Sequence, residues 1–321
     1  MPSLVSKQVG PTGFGLMRMT WNANLPSQEQ CFATMNTALS HGANFWNAGE
    51  LYGTPDYNSL HLLHSYFAAH PDKADEVVLS IKGGLKPGML MPDGSEANIR
   101  RSVEECLRVL DGTKKIDVFE CARQDPNTDV ENTMRVLGDF VKEGKIGGIG
   151  LSEVDEDTIR RAHKVHPVAA VEVELSLFTT DILHNGVAKA CAELGIPVVA
   201  YSPLGWGVLA GAFTKSTDIP EGDPRRWMHK FQDGAMQQNM KLVDEVNKLA
   251  ARKGVAPVQI ALGWILTLSE QRGMPTIIPI PGGTTKDKVT QNLQGVPRLD
   301  ESEMAEIEEL LSQNQVVGAR Y

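Results

Sequence analysis

The chain has 321 residues, of which 41% are hydrophobic and 22% are charged, and its formal net charge is −9. This composition is typical of a folded globular protein and excludes extended disorder. The acidic balance argues against nucleic acid as a partner, because phosphate binding needs a basic surface. No segment approaches the roughly 18 apolar residues of a membrane span. The first residues lack the apolar core of a signal peptide, so we expect a cytoplasmic protein with no membrane contact.

The cysteines and histidines indicate neither a disulfide framework nor a metal site. The four cysteines, Cys31, Cys106, Cys121 and Cys191, are widely spaced and form no CxxC pair. With no export signal, we expect four reduced thiols. The histidines show no HExxH or similar spacing, so we expect no bound metal.

Short apolar runs alternate with longer amphipathic segments along the chain, which predicts strands alternating with helices. The eight candidate strands are residues 14–19, 44–48, 77–82, 116–122, 146–152, 169–175, 197–203 and 276–282. The predicted helices include 97–110, 131–141, 158–166, 183–194, 240–252 and 300–312. This alternation favours one α/β domain over residues 1–321, a (β/α)8 TIM barrel. A doubly wound sheet is the alternative, but no GxGxxG follows an early strand.

Polar side chains stand where the predicted strands end, which is where β/α barrels carry their function. The second strand ends at Asn47 with Tyr52 in the following loop, and the third ends at Lys82. A lysine ending a buried strand is costly without a partner or a task. A phenol beside an ammonium group has a lowered pKa, and such a pair suits proton donation to a carbonyl oxygen. The alternative is that Tyr52 packs and Lys82 extends to solvent.

The residues after the seventh predicted strand suggest a functional loop, and those after the eighth suggest anion binding. Segment 211–234 has the proline and glycine content of a long loop, and such loops at strand ends often carry function. Gly282 and Gly283 end the eighth strand, and Thr284 leads into a predicted helix whose first turn forms an anion site. Lys288 adds positive charge there.

Six segments in chain order resemble the aldo-keto reductase family. FWNAGELYG resembles the segment in which an aspartate stands five residues before the catalytic tyrosine, and SIKGG resembles the catalytic-lysine strand. GLSEV resembles a GxSN-type turn, and AAVEVELSLF resembles the AxQxxYSLF strand. AYSPLGWGVLAG resembles YSPLGxGxLxG, and IPIPGGTTKDKVTQN resembles the segment that binds the adenosine phosphate. The resemblance implies a barrel that binds NADP(H).

The resemblance also implies roles for individual residues. Tyr52 would donate the proton, Lys82 would lower its pKa, and Asn47 would orient Lys82. Ser152, Glu153 and Glu172 would line the nicotinamide carboxamide, Tyr201 would stack on the ring, and Lys288 would meet the 2′-phosphate of NADPH. The other implied cofactor contacts are Ser202, Pro203, Leu204, Gly205, Gly207, Gly282, Gly283, Thr284, Gln291 and Asn292. The expected substrate residues are Trp21, Trp46, Ala122, Arg123 and Trp206, with the three tryptophans forming an apolar wall.

Two positions depart from the family pattern. Asn47 stands where the family has aspartate, and Ala122 stands where it has histidine. Asparagine lacks the charge that would hold Lys82 as a cation, so we expect the pKa of Lys82 to fall. Glu50 and Glu120 are candidates for a replacement charge. Ala122 leaves volume for a wider substrate or for water.

Three short motifs narrow the resemblance to the fungal pyridoxal reductase branch: CAR at 121–123, GLSE at 150–153 and GARY at 318–321. This likeness implies NADPH-dependent reduction of an aromatic or heteroaromatic aldehyde, such as pyridoxal to pyridoxine. The altered catalytic set leaves two alternatives, a specialised-metabolism enzyme that uses NADP(H) for another step and a cofactor-sensing regulatory barrel without turnover. The substrate and the oligomeric state stay open at this point.

Overall fold

A ring of parallel strands forms the centre of the molecule, as seen in a computed structural model that describes residues 1–320. The chain begins with an antiparallel hairpin, β1 (Ser3–Leu4) and β2 (Lys7–Gln8). The eight parallel strands are β3 (Phe14–Gly15), β4 (Phe45–Gly49), β5 (Val78–Gly83), β6 (Val118–Cys121), β7 (Ile149–Ser152), β8 (Val168–Glu174), β9 (Val198–Tyr201) and β10 (Ile277–Pro279). Each pairs with the next one along the chain, and a parallel bridge between Gly15 and Gly282 joins the first to the last. The predicted (β/α)8 barrel is confirmed.

Helices surround this ring on its outer side. They are α1 (Met17–Thr20), α2 (Gln28–Ser40), α3 (Ser59–Ala69), α4 (Glu96–Leu110), α5 (Val130–Lys142), α6 (Glu156–Val165), α7 (Val187–Leu194), α8 (Asp233–Lys253), α9 (Pro257–Leu268), α10 (Lys286–Leu293) and α11 (Glu301–Gln313). Side-chain caps begin several of them; Asp300 and Glu303, for example, form a capping box on α11. No helix within residues 1–320 has both the length and the apolar character that crossing a bilayer requires.

Side chains alternate along each strand between the barrel interior and the helix layer. On β4, Phe45 and Asn47 face inward, whereas Trp46 packs outward against Tyr66 and Phe67 of α3. The apolar base of the interior includes two residues of the N-terminal segment and consists of Leu4, Val9, Phe45, Val78, Ala170, Val199, Ile278 and Ile280. Placing Trp46 in a substrate wall was therefore wrong, because the strand's alternation turns it away from the interior.

Some predicted boundaries differ from the observed ones. The first strand ends at Gly15 rather than residue 19, because Leu16 N bonds the Asn47 carbonyl and the chain then turns into α1. Helix α8 begins at Asp233, seven residues before the prediction. The predicted loop 211–234 contains three short 3₁₀ turns, at Ser216–Asp218, Pro224–Trp227 and His229–Phe231.

Candidate active site

Four polar side chains meet inside the barrel, directly above its apolar base. Asn47, Lys82, Glu120 and Glu172 come from β4, β5, β6 and β8, and none is more than 4% exposed. Lys82 Nζ forms an ion pair with Glu172 Oε1. Asn47 Nδ2 donates to Glu172 Oε2 at 2.6 Å and lies 3.5 Å from Glu120 Oε1. Gly150 on β7 makes room for this cluster, because a Cβ there would lie 3.2 Å from Glu120 Oε2.

Lys82 is held as a cation by the carboxylate with which it is paired. Burial opposes its charge, but the Glu172 carboxylate outweighs burial and raises the pKa of Lys82. The expected fall in this pKa was therefore wrong. Asn47 does lack a charge, as the sequence indicates, but Glu172 supplies the negative charge from the opposite side of the barrel.

Glu120 is the neutral member of the cluster. Burial raises the pKa of its carboxyl well above 4.5, and the neighbouring Glu172 carboxylate raises it further, while Lys82 and Asn47 act in the opposite direction. Glu50, the other candidate for a replacement charge, lies apart, bonded to Arg101 Nη1 at 2.5 Å and to Ser102 Oγ at 2.6 Å.

Tyr52 lies beside Lys82, since a Cβ on Gly49 would lie 3.2 Å from Tyr52 Cδ2 and 3.3 Å from Lys82 Cβ. Thr20 Oγ1 donates to the Tyr52 carbonyl at 2.6 Å, which fixes the loop that carries the ring. Gly49 leaves space for that ring because it has no Cβ. Burial raises the pKa of Tyr52, and the opposing effect of Lys82 does not overcome it. The net lowering expected from the sequence was wrong, and the phenol keeps its proton at neutral pH.

A buried hydroxyl without a partner lies next to this cluster. Within residues 1–320, Ser152 Oγ is the only buried side-chain oxygen or nitrogen that has no hydrogen-bond partner. Ser152 ends β7 and is paired in register with Glu172. Because buried polar groups are normally satisfied, this hydroxyl fits a site for a polar ligand group such as a carboxamide.

A second charged cluster covers the ends of β7, β8 and β9 and involves the C-terminal tail. Arg320 Nε donates to Glu174 Oε2 at 2.7 Å, and its Nη2 bonds Glu153 Oε1 and donates to Tyr201 Oη at 3.0 Å. Buried Lys230 lies 3.4 Å from Glu174 Oε1. Tyr201 therefore stands between the two clusters, with Lys82 Nζ 5.1 Å from its ring centroid.

The glycine-rich turn after β9 is held in an unusual backbone conformation. Ser202, Gly205, Trp206 and Gly207 have φ values of 49°, 56°, 60° and 98°. The amides of Gly205 and Gly207 donate to the carbonyls of Ser202 and Leu204 at 2.9 and 3.0 Å. These two amides are thus engaged within the turn, and the glycines serve its left-handed conformation.

Near the closure of the barrel, the segment 282–284 leads into helix α10. A Cβ on Gly283 would lie 2.8 Å from Val289 Cγ2, so only glycine lets the strand end pass this close to the helix. Asn292 Nδ2 donates to the Gly282 carbonyl at 3.2 Å. Lys288 and Gln291 are exposed on the same short helix. The helix terminus predicted from the sequence is therefore present, with its basic residue open to a ligand.

The expected substrate residues, apart from Trp46, lie near the strand ends. The ring of Trp21 is 39% exposed and lies 6.1 Å from the ring of Tyr52. Ala122 is buried at the end of β6, and Arg123 Nη1 bonds its carbonyl at 2.7 Å. Trp206 Nε1 donates to Glu174 Oε1 at 2.9 Å, which fixes its ring beside the second cluster.

The family model described as "Aldo/keto reductase family" matches residues 11–312. The chain belongs to the aldo/keto reductase family. This aldo-keto reductase is 39% identical to a probable pyridoxal reductase 2 of Schizosaccharomyces pombe, over 100% of this chain and 97% of that protein. It is also 39% identical to a putative pyridoxal reductase of Saccharomyces cerevisiae, over 97% and 95%. A third relative, the S. pombe aldo-keto reductase yakc [NADP(+)], is 32% identical over 96% and 90%.

Among solved structures, a glycerol dehydrogenase of Gluconobacter oxydans superposes with a TM-score of 0.82 and 23% identity, covering 97% of this chain and 94% of that one. This likeness concerns the fold alone. The family membership and the relatives confirm the prediction of an oxidoreductase of the aldo-keto reductase type.

The sequence did not reveal the part that two glutamates play in this aldo-keto reductase. Glu172 is expected to contact a carboxamide, yet its two oxygens bind Lys82 and Asn47. Glu174 was not singled out, although it anchors Arg320. A signal was present, because VEVE at 171–174 places two glutamates on the inward face of a buried strand. Buried carboxylates on one face require cations or donors opposite them.

Proposed function

We propose that this aldo-keto reductase reduces an aromatic or heteroaromatic aldehyde, pyridoxal above all, with NADPH as the reductant. The observation that carries the proposal is a phenol, Tyr52, that lies beside a buried lysine, Lys82, which is ion-paired with Glu172 at the strand-end face of the barrel. Two relatives that share 39% identity over nearly the whole chain are named pyridoxal reductases, which supports the choice of substrate.

The chain's residues supply the proton half of such a reduction. Tyr52 holds its proton at neutral pH and donates it to the carbonyl oxygen of the substrate. The Lys82 cation stabilises the phenolate that remains, and it does so strongly because the site is desolvated. Asn47 fixes the Glu172 carboxylate that keeps Lys82 charged. When bound, NADPH supplies the hydride that reaches the carbonyl carbon.

The residues near the strand ends fit a dinucleotide with a nicotinamide group. The unpartnered Ser152 hydroxyl suits the carboxamide, with Glu153 and Glu172 beside it and Tyr201 next to the ring. The pyrophosphate would lie along the turn of Ser202, Pro203, Leu204, Gly205 and Gly207. The adenosine phosphate would lie at Gly282, Gly283, Thr284, Lys288, Gln291 and Asn292, where exposed Lys288 favours a 2′-phosphate and so NADP(H) over NAD(H).

The substrate would approach Tyr52 past Trp21, with Ala122, Arg123 and Trp206 around it. Ala122 is small, and a heteroaromatic ring needs the volume that a histidine would fill. A groove of about 1080 Å³ runs from Trp21 along the loops that follow β4 and β5 toward the outer face of α4, and Trp21 is the one expected substrate residue in its lining. The exposed side chains of Met89 and Leu90 form an apolar part of its wall near Trp21, whereas its far end is lined by charged residues of α4.

NADPH absorbance measured with pyridoxal and a panel of aldehydes tests the proposal, with Tyr52→Phe as the matched variant. We expect turnover with the wild type and a loss of about 10²- to 10⁴-fold in kcat for the variant. NADPH affinity, measured by fluorescence, should stay unchanged because the variant lacks only a hydroxyl. NADPH binding without turnover of any aldehyde would refute the proposal and favour the cofactor-sensing barrel instead.

A further inference from the structure

The carboxylate that pairs with Lys82 lies on a different strand from the one the family pattern indicates. The segments that this chain resembles carry aspartate at the position of Asn47 and glutamine at the position of Glu172. This chain carries an amide where the pattern has an acid and an acid where it has an amide. The two substitutions leave the number of carboxylates unchanged, and the structure shows that the two side chains touch, at 2.6 Å.

The geometry explains why both changes occur together. Glu172 uses one oxygen for Lys82 and the other for the Asn47 amide group, so both oxygens are satisfied. An aspartate at position 47 would bring a third carboxyl group against Glu172 and Glu120, with only Lys82 to balance them. Buried like charges at this separation are strongly unfavourable. Asn47 avoids that cost because its amide group donates to the carboxylate instead.

We infer that the carboxylate that positions the catalytic lysine has moved across the barrel interior from β4 to β8, so that Glu172 and Asn47 act as a reciprocal pair. Glu172 is a positioning residue, since it acts on the substrate through Lys82 and Tyr52. The catalytic role of Lys82 in this inference rests on the proposed function. The charge state of Lys82 does not, because it can be measured without any reaction.

Glu172 lies between Lys82 and the Ser152 hydroxyl and so links the two. It is paired in register with Ser152, whose oxygen has no partner, while its own carboxylate lies against Lys82. A group bound at Ser152 therefore lies next to the carboxylate that sets the charge of Lys82. In the reciprocal arrangement, with the acid at position 47, this coupling would be lost, because a glutamine would stand beside Ser152.

Lysine NMR on the cofactor-free protein tests the relocation directly. With ¹³C-labelled lysine and Lys82→Met to assign the signal, we expect Lys82 to stay cationic from about pH 6 to about pH 10 in the wild type. Glu172→Gln in a Glu120→Gln background, where Glu120 cannot supply the charge instead, should let Lys82 deprotonate below the ordinary lysine pKa of about 10.4. The double variant Asn47→Asp/Glu172→Gln should restore the cation, because it returns the acid to β4.

Glu50→Gln is the matched control, because Glu50 is also a glutamate near the end of β4 but pairs with Arg101 outside the cluster. It should leave the Lys82 signal unchanged. In turnover, Glu172→Gln should lower kcat by roughly tenfold or more, and the double variant should recover most of that loss.

A Lys82 that stays charged in Glu172→Gln on the Glu120→Gln background would overturn the inference, and so would an Asn47→Asp/Glu172→Gln variant in which it stays neutral. If Glu172→Gln does not fold, the double variant decides alone. Its own failure to fold also counts against the inference, since a reciprocal exchange preserves charge and nearly preserves volume. If the wild type reduces no aldehyde, the proposed function fails, while the NMR result still decides the place of the carboxylate.

Discussion

Two glutamates face one lysine inside the barrel. The net charge of the site depends on how many of the two carboxyl groups are protonated. Two carboxylates in contact in a buried site cannot both ionise at neutral pH. Glu172 carries the charge because it is paired with Lys82 and bonded by Asn47, and Glu120 keeps the proton. The cluster is therefore neutral overall, which lowers the cost of burying three ionisable groups.

Replacing Glu120 by glutamine should change how stability depends on pH. The pKa of Glu120 is raised above the 4.5 of an unfolded glutamate, so the folded state binds a proton that the unfolded chain releases. The stability from this proton is fully present below pH 4.5 and is lost as pH rises toward the folded pKa. Glu120→Gln keeps a neutral group that does not titrate.

The variant should therefore lose less stability than the wild type above pH 4.5, by up to about 1.4 kcal/mol per pH unit. Urea unfolding of both proteins at several pH values measures this difference. Parallel pH profiles would show that Glu120 is not protonated in the folded state.

The C-terminal tail is the element that closes the strand-end face beside the site. After α11 the chain passes α8, where Asn239 bonds the amide and the carbonyl of Val317 at 2.8 and 2.9 Å. Gly318 has a φ of 110°, and a Cβ there would lie 2.6 Å from Lys230 N, so glycine is required at this crossing. Arg320 then reaches Glu174, Glu153 and Tyr201. Tyr321, the last residue of the GARY motif, lies outside the described residues.

We expect Arg320→Gln to release the tail and to destabilise the fold. The change removes a cation from Glu174, which has no exposed surface, at a cost of about 1–3 kcal/mol. Faster hydrogen exchange of the tail amides should accompany the loss. Arg252→Gln is the control, since its pair with Glu306 is exposed and should contribute less than about 1 kcal/mol. Equal unfolding free energies for the two variants would argue against a structural role for the tail.

At the scale of elements, the sequence predicted the amphipathic helices, which have a clear period, and missed a helix that is buried on nearly every side. Helices with one apolar face, such as α4 and α5, lie within two residues of their predicted bounds. Helix α9 was not predicted, because it is buried on nearly every side and has no polar face to mark a period. The first strand was predicted too long, since local apolar character does not show where its ladder ends.

At the scale of the whole molecule, barrel closure brings together residues that are far apart in the chain. The strand-end rule was enough to select Asn47, Tyr52 and Lys82 from the sequence. It was not enough to assign the partner of Lys82, because that partner lies across the interior on β8, 90 residues away. The pKa of Lys82 was predicted in the wrong direction for this reason. That all 321 residues form one domain, and that the named residues hold NADP(H), stay predictions.

Transfer of deuterium from cofactor to product tests the central claim most directly. The enzyme would be incubated with unlabelled pyridoxal and with NADPH that carries deuterium at the transferable position of nicotinamide C4. The alcohol product would then be analysed by mass spectrometry. We expect pyridoxine with one deuterium on its newly formed alcohol carbon, and at least about 100-fold less of it with Tyr52→Phe over the same time. Unlabelled pyridoxine, or no pyridoxine while NADPH is bound, would contradict the assignment of this barrel as an aldehyde reductase.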